Sequence, residues 1–406
     1  MAKVVCMKCM KCGREESPRP DRYTCETCGI DGILDIIYDY KTVKLTREDL
    51  EKNPDRSLWR YKPLLPVEAD TPVSPLHVGW TPLYQQPRLE KEFGLSRVFI
   101  KDDGRNPSAS LKDRASAVGI AKAIEAKAKA ICAASTGNAA SSLAAFAASM
   151  GIPAYIFVPK RAPRAKVAQL LVYGAKTLLI DDTYDRAFEL SVEAARRFGF
   201  YCRNCAYNPY LVEGKKTVAF EIWEQLGYKI PDRVYVSIGD GCITSGLYKG
   251  FYDLLQIGLA DRLPRIIGVQ AAGCNPMEIA LKTGVFKEQT PNTIADSIAV
   301  GVPRNRLKAI RGLKETKGEC ISVSDDAIRE GLVGMPRITG VFGEPAAVTA
   351  YAGFRKQAQE GVIGSKETVV VLITGNGLKD IESALSVCTM PDPVAPTIEA
   401  VEKALR

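Results

Sequence analysis

Beyond residue 96 the chain alternates short apolar runs with longer helical stretches. Strands are predicted at 97–101, 130–135, 154–158, 177–180, 234–238, 266–270 and 368–373. Between the early ones, helices are predicted at 112–128, 138–149, 166–173 and 184–198. Most of the strand runs lack polar alternation, which marks strands buried on both faces. Strands alternating with helices imply an α/β protein with parallel sheets covered on both sides. Ahead of this region, residues 1–45 are Cys-rich and end in the strand-like run 33–40, while residues 46–95 are charged, Pro-rich and weakly periodic, like an arm. The expected division is 1–45, an arm 46–95 that joins a large domain, a small nested α/β domain 96–200, a large domain 201–385 and a tail 386–406.

Composition narrows the class. At 406 residues the chain suits two or three domains, and its 25% charged content is ordinary for a globular protein. A net charge of +8 is spread along the chain without a dense Lys/Arg block, so no nucleic-acid partner is expected. No apolar run reaches the roughly 18 residues of a membrane span, and the first residues lack a signal-peptide core. A cytoplasmic protein is expected. His77 is the only histidine, in a turn-like setting. Acid–base chemistry here falls to lysine or a cofactor.

In parallel sheets ligands bind where strands run out into helix N-termini. Four such junctions stand out. Residues 106–114 carry Lys112 in the first turn of a helix, where the positive helix end lowers an amine's pKa and favours the neutral form that makes a Schiff base. Residues 135–142 are small and polar, leaving backbone N–H groups free for an anion. Residues 237–246 form a glycine-rich turn that can approach a phosphate, without the spacing of a dinucleotide or ATP loop. Thr374 ends the last apolar strand. Taken singly, each is also an ordinary capped turn.

Cysteine spacing adds a separate feature. Cys9 and Cys12, then Cys25 and Cys28, form two Cys-x2-Cys knuckles, each followed by glycine. They resemble a zinc ribbon, a closed structural site of four thiolates, with Cys6 overlapping the first knuckle.

In this order the loops resemble the fold type II, tryptophan-synthase-β-like pyridoxal-phosphate enzymes, and within them the threonine synthases. The resemblance rests on residues 79–83, 106–114, 135–138, 213–217 and 343–346 and runs from the knuckles to about Leu385. It implies two open, parallel-rich twisted sheets with helices on both faces, plus the zinc-ribbon-like segment. It implies that Lys112 carries the cofactor as a Schiff base, that Asn138 bonds its phenolic oxygen, that Gly239, Asp240, Gly241, Cys242 and Ile243 cradle its phosphate, and that Thr374 meets its pyridine nitrogen. Ser135, Thr136 and Ala139 would hold a substrate carboxylate, with Asn208, Lys215, Lys216 and Arg164 as candidates for a substrate phosphate. The implied reaction is a lyase conversion of O-phosphohomoserine and water to threonine and phosphate, with Lys112 moving the protons. A serine/threonine dehydratase or a β-replacement synthase is the alternative. Homodimers are common in that group, so a homodimer is implied. Ser108-Ala109-Ser110-Leu111 departs from the family's usual Thr-Gly-Ser-Phe, and Asp240 would set a negative charge beside a phosphate unless it faces away.

Overall fold

A computed structural model describes residues 3–160, 162 and 164–405, without the side chains of 164–166. Its strands form three sheets. Four antiparallel strands near the N-terminus, β1 (Lys3–Cys9), β2 (Glu15–Glu16), β3 (Thr24–Cys25) and β4 (Gly29–Asp39), lie in the order β2-β1-β4-β3. A parallel sheet joins β7 (Ile131–Ala134), β8 (Ala154–Pro159), β9 (Lys176–Ile180) and β10 (Tyr201–Cys202) in the order β10-β7-β8-β9. The largest sheet holds β5 (Leu83–Gln85), β6 (Arg97–Asp102), β11 (Arg233–Ser237), β12 (Arg265–Ala271), β13 (Glu319–Val323) and β14 (Thr368–Ile373), ordered β13-β12-β11-β14-β6-β5. All its pairs are parallel except β5 against β6.

Sheet membership departs from the linear division in two places. β6 pairs with β14 along its whole length and so belongs to the large sheet, not to a small domain starting at 96. β10 lies past 200 yet pairs with β7. The chain leaves the large sheet after β6, builds the four-stranded sheet and returns, a nesting that linear order does not reveal. The stretch 46–95 also contributes regular structure: a helix Arg47–Lys52 with a full capping box at Thr46, a helix Pro87–Phe93 and the edge strand β5.

Two buried charge networks hold these parts together. Arg114 binds Asp103 (Nε–Oδ2 2.7 Å) and Glu221, and Lys101 reaches the same Glu221 at 2.7 Å. Thr81 donates to Asp103 at 2.6 Å, and Gly79 donates to Asn106 at 2.9 Å. Two cations thus face two anions. This satisfies the rule that buried charge be paired. The second network docks the N-terminal sheet. Tyr38 Oη donates to Glu213 at 2.5 Å and Tyr40 Oη to Asp253 at 2.6 Å, while Lys216, Lys249 and Lys308 meet Glu213, Asp253 and Asp35.

Candidate active site

The carboxyl ends of β7, β8, β11 and β14 open on one cavity of about 580 Å³ between the four-stranded parallel sheet and the six-stranded sheet. Lys112, Ser135, Thr136, Asn138, Ala139, Lys215, Gly239, Asp240, Gly241, Cys242, Ile243 and Thr374 all line it.

Local structure explains how the lysine arrives there. The loop before it is stitched to the loop after β14: Leu111 N donates to Thr374 O at 2.8 Å, and Asn376 N to Ala109 O at 3.0 Å. Ser108 N bonds the Asp113 carboxylate at 2.6 Å, closing the turn on its own helix, Lys112–Glu125. Burial pushes the Lys112 amine below the usual lysine range. Nearby Lys215 and Arg203 push the same way, against the opposing pull of Cys205 and Glu344. A neutral amine is therefore favoured at less basic pH than for a free lysine.

Two helix starts point uncapped at the cavity. The helix Asn138–Ser149 has Gly137 at its N-cap and the helix Cys242–Gln256 has Gly241, neither with a side-chain cap. Their first N–H groups stay available to an anion. At Gly241 the backbone is left-handed (φ +85°), and a Cβ there would stand 2.6 Å from Ala309 Cβ. A Cβ on Gly239 would stand 2.9 Å from Ile298 Cα. Asp240 does not project its charge freely into this turn: its Oδ1 accepts from Arg304 N at 3.1 Å, and burial pushes its carboxyl pKa up. Ser237 Oγ, on the cavity wall and buried, has no partner among the described residues. An orphaned hydroxyl beside a glycine cradle and an amine fits a phosphate-bearing aldehyde.

The substrate-phosphate candidates divide. Lys215 lines the cavity and forms no ion pair among the described residues; its Nζ lies 3.9 Å from Cys205 Sγ. Lys216 is a correction to the carried-over set. It is one position along the helical chain, turned to the other side, and is held at 2.6 Å by both Glu213 and Asp253 with its ammonium over the Tyr38 ring. Asn208 is a second: its amide donates to Cys202 O at 2.9 Å and accepts from Tyr210 N at 3.0 Å, away from the cavity. Arg164 opens the helix Arg164–Val172, and its side chain lies outside the described residues. Sequence reading gave no site role to Glu344, which lies in the 343–346 motif and receives Asn138 Nδ2 at 2.7 Å, nor to Arg203, Asn204 and Cys205 after β10. A two-residue strand leaves no apolar run to signal a junction.

Residues 75–375 match the family described as pyridoxal-phosphate dependent enzyme. Over 403 residues the chain is 39% identical to a threonine synthase of Methanosarcina acetivorans, covering 98% of each chain. It belongs to the threonine synthase family of pyridoxal-phosphate-dependent enzymes. Another threonine synthase, from Methanocaldococcus jannaschii, is 36% identical over 405 residues, 98% of this chain and 99% of that one. Among solved structures, a threonine deaminase from Solanum lycopersicum superposes with a TM-score of 0.67 at 22% identity, covering 76% of this chain and 83% of its own. A maize serine racemase gives 0.65, covering 75% and 91%. At that identity the two structures speak for the fold type II architecture alone. The fold implied by the loop motifs is the fold observed, and the threonine synthase family is the one the motifs named.

The knuckles form a second centre. Ligand atoms of Cys9, Cys12, Cys25 and Cys28 lie within 4.8 Å of one another, and Cys6 is not among them. Cys12 and Cys25 sulfurs are 3.8 Å apart, near the roughly 3.8 Å edge of a tetrahedron with 2.3 Å zinc–sulfur bonds. A Cβ on Gly32 would stand 2.6 Å from Cβ of both Cys25 and Cys28, so only glycine lets the strand pass under the knuckle.

Proposed function

We propose that the chain converts O-phosphohomoserine and water to threonine and phosphate, with pyridoxal phosphate held in the 580 Å³ cavity. What carries the reading is the convergence of Lys112, two uncapped helix starts and Thr374 on that one space. Lys112 would hold the cofactor's aldehyde, the Gly239–Ile243 amides its phosphate, Asn138 its phenolic oxygen and Thr374 its ring nitrogen. When bound, the cofactor supplies an electron sink for carbanion character next to the substrate nitrogen. The chain does the rest. Free N–H groups at 138 and 139, with Ser135 and Thr136, orient the substrate carboxylate. Lys112, once released, takes and returns protons along the substrate carbons as a single base within reach. Glu344 fixes the Asn138 amide, and the buried ammonium of Lys215, with no carboxylate partner among the described residues, favours a phosphate at that end.

Inorganic phosphate released from O-phosphohomoserine, with threonine as product, tests this; keto acid from serine or threonine without that release would mark a dehydratase instead. Lys112→Ala is expected to lose turnover by at least about 10³-fold with its melting temperature kept, as removal of a nucleophile and base demands. The four thiolates are proposed to hold one structural zinc, read by metal analysis of the purified chain. A cytoplasmic setting suits twelve cysteines, none of them in a disulfide. A homodimer is proposed for the assembled enzyme, supported by the exposed Leu378, Ile381, Leu385 and Ile398 near the C-terminus and tested by sedimentation. No helix among the described residues is long and apolar enough to cross a membrane.

A further inference from the structure

The loop after β10 brings a thiol into the cavity that the proposed reaction does not use. Cys205 is half-buried on the cavity wall, next to two cations of the same wall, Arg203 and Lys215, whose own side chains are buried. Arg203 Nη1 lies 3.1 Å from the Cys205 sulfur and Lys215 Nζ 3.9 Å. Arg203 cannot swing away, because its Nε and Nη2 are bonded to Ser116 Oγ and its Nη2 also to Lys112 O. The same wall carries the orphaned Ser237 hydroxyl, an independent sign that this space receives a ligand. We propose that Cys205 is a thiolate modification site beside Lys112, open to soft electrophiles and peroxides through the reaction cavity and kept anionic by the two buried cations beside it. The proposal rests on the cavity being the active site.

The electrostatics agree with the geometry. Burial alone would raise the thiol. Lys215, Arg203 and Lys112 outweigh it, with Asp240 opposing them, and bring it to about 7. Cys242 in the same cavity is pushed up to about 12 by burial, despite Lys215, and stays a thiol. Selectivity between the two follows, since the thiolate is the nucleophile. With iodoacetamide, the sulfur lone pair forms the S–C bond as the C–I bond breaks and iodide leaves. With peroxide, an S–O bond forms as the O–O bond breaks, the sulfur is oxidised by two electrons and hydroxide departs.

The experiment labels the holoenzyme, metal and cofactor bound, with iodoacetamide across pH in a Cys388→Ser background that removes the exposed tail thiol, and identifies the modified peptide by mass. Cys205 is expected to label with a half-maximal rate near pH 7, against about 8.5 for an ordinary thiol, and turnover should fall with the same rate constant. Lys215→Met should move that midpoint up by at least about one pH unit, while Lys215→Arg, which keeps the charge, holds it near 7. A Cys205 midpoint at or above about 8.5, or full turnover by enzyme alkylated at Cys205, overturns the proposal. Peptide mass is read without turnover, so an enzyme that fails on O-phosphohomoserine still answers the thiol question. Should Lys215→Met not fold, the midpoint of the parent holoenzyme decides alone.

Discussion

Ala109 has a φ of +63°, a left-handed backbone that costs a residue with a Cβ about 1–2 kcal/mol. It sits where the family usually has glycine, three residues before Lys112. The conformation persists because both its N–H and its C=O are committed, to Asn106 and Asn376. Glycine would relieve that strain but would lose about 0.5–1 kcal/mol to the entropy of the unfolded chain. The strain term is larger, so Ala109→Gly is expected to stabilise the protein by up to about 1 kcal/mol, read as a higher urea midpoint at unchanged slope. A lower midpoint would show that the loop is not held left-handed in solution. Lys215 and Lys216 carry a second lesson at this scale. They are chemically identical neighbours, yet one faces the cavity and the other is spent between Glu213 and Asp253.

Among the elements, the knuckle sheet includes two very short strands. These, β2 and β3, hold two residues each; Cys9 ends β1, Cys25 ends β3, and Cys12 and Cys28 lie in the turns between strands. A sheet this small needs a staple, and four thiolates on the proposed metal would provide it. Cys25→Ser, or chelation of the purified protein, is expected to lower the melting temperature by several degrees. Turnover per folded molecule should change little, because none of the four ligands lines the cavity. Selective loss of turnover at an unchanged melting temperature would contradict a structural role. The helices opening on the cavity differ in their caps: Thr183 caps the helix Tyr184–Phe198 with its side chain, whereas Gly137 and Gly241 leave their helices bare where the proposed anions would bind.

For the molecule as a whole, the Arg114–Asp103–Glu221–Lys101 cluster joins the residue 79–83 segment, β6, the lysine helix and the helix Thr217–Gln225. Removing one charge leaves the others buried and uncompensated, so Glu221→Gln is expected to cost about 3–5 kcal/mol of stability, measured by urea unfolding. Burial works against the Glu221 carboxylate, but Arg114 and Lys101 hold it down to about 2, below its ordinary 4.5. A depressed folded-state pKa means that the contribution is whole above pH 4.5 and is lost as pH falls toward 2. Acid unfolding of the parent should therefore steepen in that window and flatten in Glu221→Gln. Identical acid profiles would remove the cluster from its role.

The alternation of apolar runs and helices, the two Cys-x2-Cys knuckles and the loops around Lys112, Asn138, Gly239–Gly241 and Thr374 were legible along the chain, because strand burial, metal-ligand spacing and backbone approach to an anion are local demands on residue type. Helix 138–149 and helix 184–198 coincide with the observed Asn138–Ser149 and Tyr184–Phe198 for that reason. Tertiary structure alone decided that β6 and β10 change sheets, that Lys216 and Asn208 turn away from the cavity, that Asp240 bonds the Arg304 backbone, and that Arg203 and Lys215 flank a thiol. Those outcomes depend on which partners compete for the same buried charge or sheet edge, among them Arg304 for Asp240 and β14 for β6, both far away in sequence. No local pattern encodes that competition.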